Sequence, residues 1–566
     1  MPRTHETPPQ SAAAPSPRTR AARLQALEAA ARDGVDLVVV GGGITGAGTA
    51  RDAAMRGLRV LLVDRGDWAQ GTSSRSSKLI HGGLRYLENL QFGLVMEGTR
   101  ERHRQARLNP HLVQPLAFIM PVYKGGRHSL LKLSLGLWLY DLLALFRTYR
   151  IHRRLGRERT LGLAAPLRAE GLKGAIHYYD CRGDDARLTL ANALDAERHG
   201  AITANYTRFD GPVMDAATNR VRGARVTDVL SGETFEIGCR HIAVAAGPWT
   251  DTLAQALGHP ARLRPTKGVH LVFDRTRLPI DVAVTMNSID DGRVVFAIPL
   301  GNATYVGTTD TDYQGQADDV AATADDVSYL LRTTNHFFPD AKLVEADIQS
   351  TWAALRPLVR SDADSAYKTS REHEIWHDPR GISTIAGGKL TTYRAMAEEF
   401  LDAILSEMKR TGPLPRLAKC ATHRVPLDPD ADAAAKADDP QVRAAAATQG
   451  SAARGVGERI AAVPDDAALL TPELPWTYAQ VAVAADHEHA QTIEDVLVRR
   501  FQVFFRATDR GAGCARRVAT ILAERLGHDA AWVDGQVAAY DAYIAMHMRG
   551  ARESGVAGLA PFPKVR

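Results

Sequence analysis

Thiol chemistry has little to work with in this chain. Its four cysteines, Cys181, Cys239, Cys420 and Cys514, lie far apart in 566 residues and form no CxxC pair. That spacing argues against a disulfide framework and a thiolate zinc site, and it suits a reducing compartment. Residues 1–33 contain no apolar run like that of a secretory signal. Arg18, Arg20, Arg23 and Arg32 hint at a transit peptide, but Glu6 and Glu28 dilute the pattern. A flexible tail with a short helix over Ala21–Arg32 is expected there. The net charge of +5 is small for this length and gives no reason to invoke nucleic acid. No 20–50-residue repeat is evident. Asp428-Pro-Asp-Ala-Asp432 has Ala433 where a calcium loop needs glycine, so no metal site is expected. With 45% hydrophobic and 24% charged residues, the composition is that of a folded globular protein, divided into roughly three to five domains.

What is present begins at Asp36-Leu-Val-Val-Val40, a β-branched run of the kind buried on both faces of a sheet. It leads into Gly41-Gly-Gly43-Ile-Thr-Gly46, a helical stretch over Ala47–Arg56, a stop at Gly57, and a second strand over Arg59–Val63 ending at Asp64. In that context the glycines have mechanical roles. Gly41 permits the tight turn, Gly43 lets backbone approach a pyrophosphate, and Gly46 lets helix and strand pack closely. The helix N-terminus favours phosphate, and Asp64, about 20 residues on, is placed to accept from a ribose diol. The hydroxyl- and glycine-rich run Gly71–Tyr86 then stands where a plain NAD domain has a helix, which favours FAD over NAD.

At these residues the sequence resembles the FAD-dependent glycerol-3-phosphate dehydrogenases, flavin enzymes that feed a respiratory quinone. The motifs are Gly41–Gly48, Thr72–Glu88, Asp184-Asp-Ala-Arg-Leu188, Ala246-Gly-Pro-Trp249, Lys267-Gly-Val-His270, Val306-Gly-Thr-Thr-Asp310, Leu355-Arg-Pro-Leu358 and Gly387–Arg394. They run in the family's order over residues ~35–400. Asp64 departs from the glutamate more frequent in the wider FAD group, and the N-terminal tail has no evident counterpart.

The fold expected is α/β. A Rossmann-like FAD-binding domain (about 34–105, 175–252 and 350–410) interleaves with an α+β substrate domain (about 106–174 and 253–349). A linker (411–439), an all-helical C-terminal domain (440–549) and a tail (550–566) follow. Gly292–Leu300 and Ala303–Thr309 read as a hairpin turning at Gly301-Asn302. Expected cofactor contacts are Gly41, Gly43, Gly46, Asp64, Thr72 and Ser73, then Ser74, Ser77, Lys78, Leu79, His81 and Gly82. Gly247, Gly388, Lys389, Leu390 and Thr391 complete them.

The resemblance implies that Arg85, Tyr86, Arg356, Arg371 and Lys389 hold a phosphate ester. Arg85 could serve FAD phosphate instead, and Tyr86 could belong to the core. His270 is the candidate base, and Arg356 is paired with it as catalytic. His81 competes for the proton, and nearby arginines could acidify the alcohol unaided.

The reaction implied is oxidation of sn-glycerol 3-phosphate to dihydroxyacetone phosphate, with electrons passing to a membrane quinone. Oxygen as acceptor, an amine or sarcosine-type oxidation, and a non-enzymatic flavin-bearing assembly or sensor are the alternatives. Leu130–Phe146 is apolar but short of the ~20 residues that span a bilayer. Arg147, Arg150, Arg153, Arg154, Arg157 and Arg159 follow it. Either the protein lies on the cytoplasmic face of the inner membrane, or this helix is buried in the substrate domain. A homodimer is a further expectation.

Overall fold

The computed structural model describes residues 18–87, 90–126, 129–360 and 372–554, with only the backbone given for Arg85. Strand Leu37–Val40 is buried at all four positions and is central to a six-stranded sheet. Val60–Val63 and Ile202–Ala204 lie on one side of it. His241–Val244, Ile382–Gly387 and His373–Asp378 lie on the other, and every pairing is parallel except the last. Helix Ile44–Arg56 buries Ala47, Ala50, Ala53 and Ala54 at helical spacing and stops at Gly57, whose φ is +97°. Gly48 lets it lie close to helix Tyr393–Thr411, because a Cβ there would sit 3.1 Å from the Tyr393 ring. A three-stranded antiparallel sheet, spanning Thr207–Met214, Val221–Asp228 and Thr234–Gly238, packs on the opposite face.

The second large sheet has ten strands. The hairpin Val294–Leu300/Ala303–Gly307 forms as expected, with Leu300 opposite Ala303. Two expected boundaries shift. Strand Ile348–Val359 pairs along its length with Leu263–Asp274, and Leu172–Gly183 pairs with Val113–Tyr123, so both belong to this sheet. Among the described residues the FAD-side sheet resumes at His373. The reason is register: long runs of inter-strand hydrogen bonds commit a strand to one sheet, and such pairing is invisible in a local motif.

Helices Pro440–Gln449, Arg454–Ala462, Tyr478–His487, Ala512–Leu526 and Ala530–Ser554 make up most of the C-terminal region. One apolar core runs from the second sheet into these helices through Trp352, Phe504 and Phe505. Both expected tails need correction. Helix Arg20–Asp33 docks on the FAD side with Leu27 and Ala30 buried beside Arg23 at helical spacing. The last helix runs past Gly550 to Ser554, and a Cβ at Gly550 would sit 2.3 Å from the Ala322 carbonyl oxygen. Residues 1–17 and 555–566 lie outside the described residues.

Candidate active site

The nucleotide turn is built from steric necessity. Gly41 has φ +112°, and a Cβ there would meet the Ala245 carbonyl oxygen at 2.4 Å. A Cβ on Gly46 would lie 1.9 Å from the Gly41 oxygen, so only glycine lets this helix meet this strand. Gly43 caps helix Ile44–Arg56 in an extended conformation, and Ile44 donates its N–H to Ser73 Oγ at 2.9 Å. Asp64 ends strand Val60–Val63 and accepts from the N–H groups of Gly42 at 2.6 Å and Gly66 at 2.9 Å. Burial pushes its carboxyl up to about 6, against the opposing pull of those two N–H groups.

A cavity of about 500 Å³ opens on this turn. Gly41, Gly43, Asp64, Thr72 and Ser73 line it. Ser77, Leu79, His81 and Gly247 continue the wall, and Gly388, Lys389, Leu390, Thr391 and Arg356 complete the expected members. Trp249, Phe209 and Met396 also line it and were not foreseen. Trp249 closes the Ala246–Trp249 motif, which was the available signal, and its ring lies on Gly71.

Four expected cofactor residues do not line the cavity. Gly46 serves packing. Ser74 is buried, with its hydroxyl directed at the Gly71 carbonyl. Lys78 is buried and donates to Asp185 at 2.6 Å and to the Ser74 carbonyl at 2.9 Å. Its ammonium is taken up by Asp185 at the start of helix Asp185–Arg198, since a buried cation needs an anionic partner. Gly82 packs against Tyr140 and Thr99.

Arg65, Arg208, Arg356 and Lys389 are the cations in the cavity wall, and the last two are the expected ones. Arg356, on strand Ile348–Val359, donates to Asp310 and the Thr308 hydroxyl at 3.1 Å and to the Thr309 carbonyl at 3.2 Å. Its side chain is 21% exposed. Lys389 precedes the turn Leu390–Thr392 that starts helix Tyr393–Thr411. Its ammonium stands 3.7 Å from the Tyr86 ring centroid, so Tyr86 supports Lys389 and is not itself in the wall. The Arg85 side chain and Arg371 lie outside the described residues.

His270 stands directly behind the cavity wall. It is buried on strand Leu263–Asp274, stacked on Trp352 at 4.7 Å, with Nε2 2.8 Å from Ser77 Oγ. Ser77 lines the cavity and the imidazole stands behind it. Burial, helped by the charges of Arg356 and Lys78, depresses its pKa well below the ordinary histidine value. A neutral ring behind a serine orients that hydroxyl. Among the described residues, His81 is the histidine in the wall. No group of three or more His, Cys, Asp or Glu side chains among them is arranged to hold a metal.

Residues 36–394 match the FAD dependent oxidoreductase family model, and residues 390–533 match the C-terminal domain of alpha-glycerophosphate oxidase. The chain is 42% identical over 394 residues to an aerobic glycerol-3-phosphate dehydrogenase of Staphylococcus haemolyticus, covering 69% of this chain and 70% of that one. The chain belongs to the FAD-dependent glycerol-3-phosphate dehydrogenase family. A Staphylococcus aureus relative of the same name is 41% identical over 380 residues, covering 67% and 68%. The crystal structure of glycerol-3-phosphate dehydrogenase from Bacillus halodurans, complexed with FAD, superposes with a TM-score of 0.74 at 30% identity, covering 94% of this chain and 99% of that one.

FAD is the cofactor of this flavoprotein. The cavity suits it: glycines whose side chains would close the turn, an acceptor at Asp64, and a second helix start at Leu390. Gly387 and Gly388, at φ +84° and +82°, bend the chain towards that start.

Proposed function

We propose that this family member oxidises sn-glycerol 3-phosphate to dihydroxyacetone phosphate and passes the electrons to a membrane quinone from a peripheral position on the cytoplasmic membrane. The observation that carries this is that Arg356 and Lys389 open into the same cavity as the dinucleotide turn. Bound FAD supplies the hydride acceptor. Arg356, fixed by Asp310 and Thr308, presents its guanidinium to the phosphate ester and to charge developing on the alcohol oxygen. Lys389 adds a second positive charge, steadied over Tyr86. The alcohol proton leaves towards His81, and Ser77 holds its hydroxyl against His270. Adding glycerol 3-phosphate anaerobically to the yellow holoprotein should bleach the flavin absorbance. Bleaching that fails, or that plain glycerol matches, overturns the reading. Reoxidation faster with a quinone analogue than with oxygen supports the acceptor assignment.

Helix Leu130–Leu143 supports the membrane position. It turns Leu131, Leu135, Trp138 and Leu142 outwards at 50–61% exposure. Its interrupting acid, Asp141, is buried and bonded to His152 at 2.7 Å, with Ser134 on the other ring nitrogen at 3.3 Å. The outward face therefore carries Lys132 as its charge, near the helix start. Arg147, Arg150, Arg153, Arg154, Arg157 and Arg159 are exposed beside it, a pattern suited to acidic headgroups. Among the described residues no helix is long and apolar enough to cross a membrane.

A further inference from the structure

We propose that Arg18 is a positioning residue for FAD, latching the C-terminal helical region onto the loop beneath the nucleotide turn. The proposal rests on FAD occupying the cavity described above. Arg18 precedes helix Arg20–Asp33 and touches two distant parts of the chain. Its backbone N–H donates to the Asp486 carbonyl at 2.7 Å and its guanidinium to the His487 carbonyl at 3.2 Å, at the end of helix Tyr478–His487. The same guanidinium pairs with Glu197 on helix Asp185–Arg198, both side chains being less than a fifth exposed.

From Glu197 the contacts continue without a gap. Its other oxygen lies 2.9 Å from His489 Nε2, and it also accepts from the Thr203 hydroxyl. Burial would raise the Glu197 carboxyl, but His489, Arg18 and Thr203 bring it down to about 2. His489 is fully buried, and its Nδ1 accepts the Trp68 indole N–H at 3.1 Å. That bond puts the ring proton on Nε2, which lies close to Glu197 without hydrogen-bond alignment. Trp68 is buried against the nucleotide turn, so closely that a Cβ on Gly42 would lie 2.3 Å from its ring. Gly42 in turn donates its N–H to Asp64 at 2.6 Å. The line Arg18–Glu197–His489–Trp68–Gly42–Asp64 thus joins the start of the described chain to the carboxylate in the cavity wall. Loosening its first link frees helix end 486–487 and leaves Glu197 one cation poorer, and the strain falls on the surface where Trp68 supports the turn.

Arg20 supplies the control. It sits on the same docked helix but pairs with Asp228 of the three-stranded sheet at 3.1 Å, and it bears on the C-terminal region only through its charge near His528, away from helix end 486–487. The test measures FAD release, followed by recovery of flavin fluorescence after dilution, for the wild-type holoprotein and for Arg18→Ala, Arg18→Lys and Arg20→Ala, with a melting midpoint for each. Arg18→Ala is expected to release FAD about tenfold faster, the scale of one partly buried ion pair. The KM for glycerol 3-phosphate should not change. Arg18→Lys should restore most of the retention, and Arg20→Ala should stay within about twofold of wild type even if its midpoint falls as far. Wild-type release from Arg18→Ala, or equally fast release from Arg20→Ala, overturns the proposal. A wild-type chain that takes up no FAD overturns the cofactor assignment first and this proposal with it.

Discussion

Asp64 and Asp67 stand three residues apart in one loop and are put to opposite uses. Asp64 meets only backbone N–H groups, lines the cavity, and has its carboxyl pushed up to about 6 by burial. Asp67 is fully buried; burial would raise it too, but the charges of Arg500 and Arg499 bring it down to about 2. Arg500 grips it with two bonds of 2.7 and 2.9 Å and Arg499 with one of 2.6 Å. A carboxylate surrounded by guanidinium groups is committed to holding the C-terminal region in place. One kept partly desolvated without a cationic partner in bonding contact gains most when a ligand brings donors to it. The cations divide in the same way: Arg356 is 21% exposed in the cavity wall, while Arg499 and Arg500 are 2% and 1% exposed.

The largest expected effect is on the committed pair. Asp67→Ala leaves two buried guanidinium groups short of their counter-charge, and breaking such a pair costs about 3–5 kcal/mol. The denaturation midpoint should drop accordingly in both apoprotein and holoprotein. A midpoint within about 0.5 kcal/mol of wild type would erase the distinction drawn between the two aspartates.

On the cation side, Arg356→Ala should leave the melting midpoint and bound FAD nearly intact. It should lower kcat/KM for glycerol 3-phosphate on the order of 10²–10³-fold, as expected when a preorganised charged donor is removed. Steady-state kinetics alongside the flavin spectrum separate the two readouts. An Arg356→Ala protein that loses its flavin would move Arg356 from the substrate's side of the contrast to the cofactor's.

The contrast also marks how far the sequence could be read. The nucleotide turn was legible because each glycine answers a local steric demand, as the 1.9 Å approach at Gly46 shows. The outward turn of Leu135 and Trp138 was one of two open readings, since periodicity alone does not say which face a neighbouring sheet covers. Lys78 was misplaced because its direction depends on Asp185, more than a hundred residues away. The Ser77 contact of His270 was not legible, because it depends on the pairing of its strand with that of Trp352 and on a loop nearly two hundred residues earlier. The Asp67 cluster was missed, although a signal existed. Two adjacent arginines inside the apolar stretch Val496–Phe504 need a counter-charge from somewhere.

The smallest effect tests Asp64 itself, and its sign is opposite in the two states of the protein. Without cofactor, the folded carboxyl titrates near 6 instead of the ordinary 3.8. Between those values the folded chain holds a proton that the unfolded chain has released, so this group's share of apoprotein stability falls as pH rises from about 4 to 6. FAD reverses the preference, because ribose hydroxyls donate to the ionised acid and not to its protonated form. FAD affinity should therefore rise between pH 5 and 7, and the stabilisation by FAD should grow over the same interval. Asp64→Asn, which cannot ionise, should flatten both trends and weaken FAD binding about tenfold at pH 7, the scale of one hydrogen bond to a charged group. Because the mutant sheds a buried charge, its apoprotein at pH 7 should be no less stable than wild type, the reverse of Asp67→Ala. Titrating apoprotein with FAD at several pH values checks this, and a slope unchanged in Asp64→Asn would show that the acid facing the cofactor is not this one.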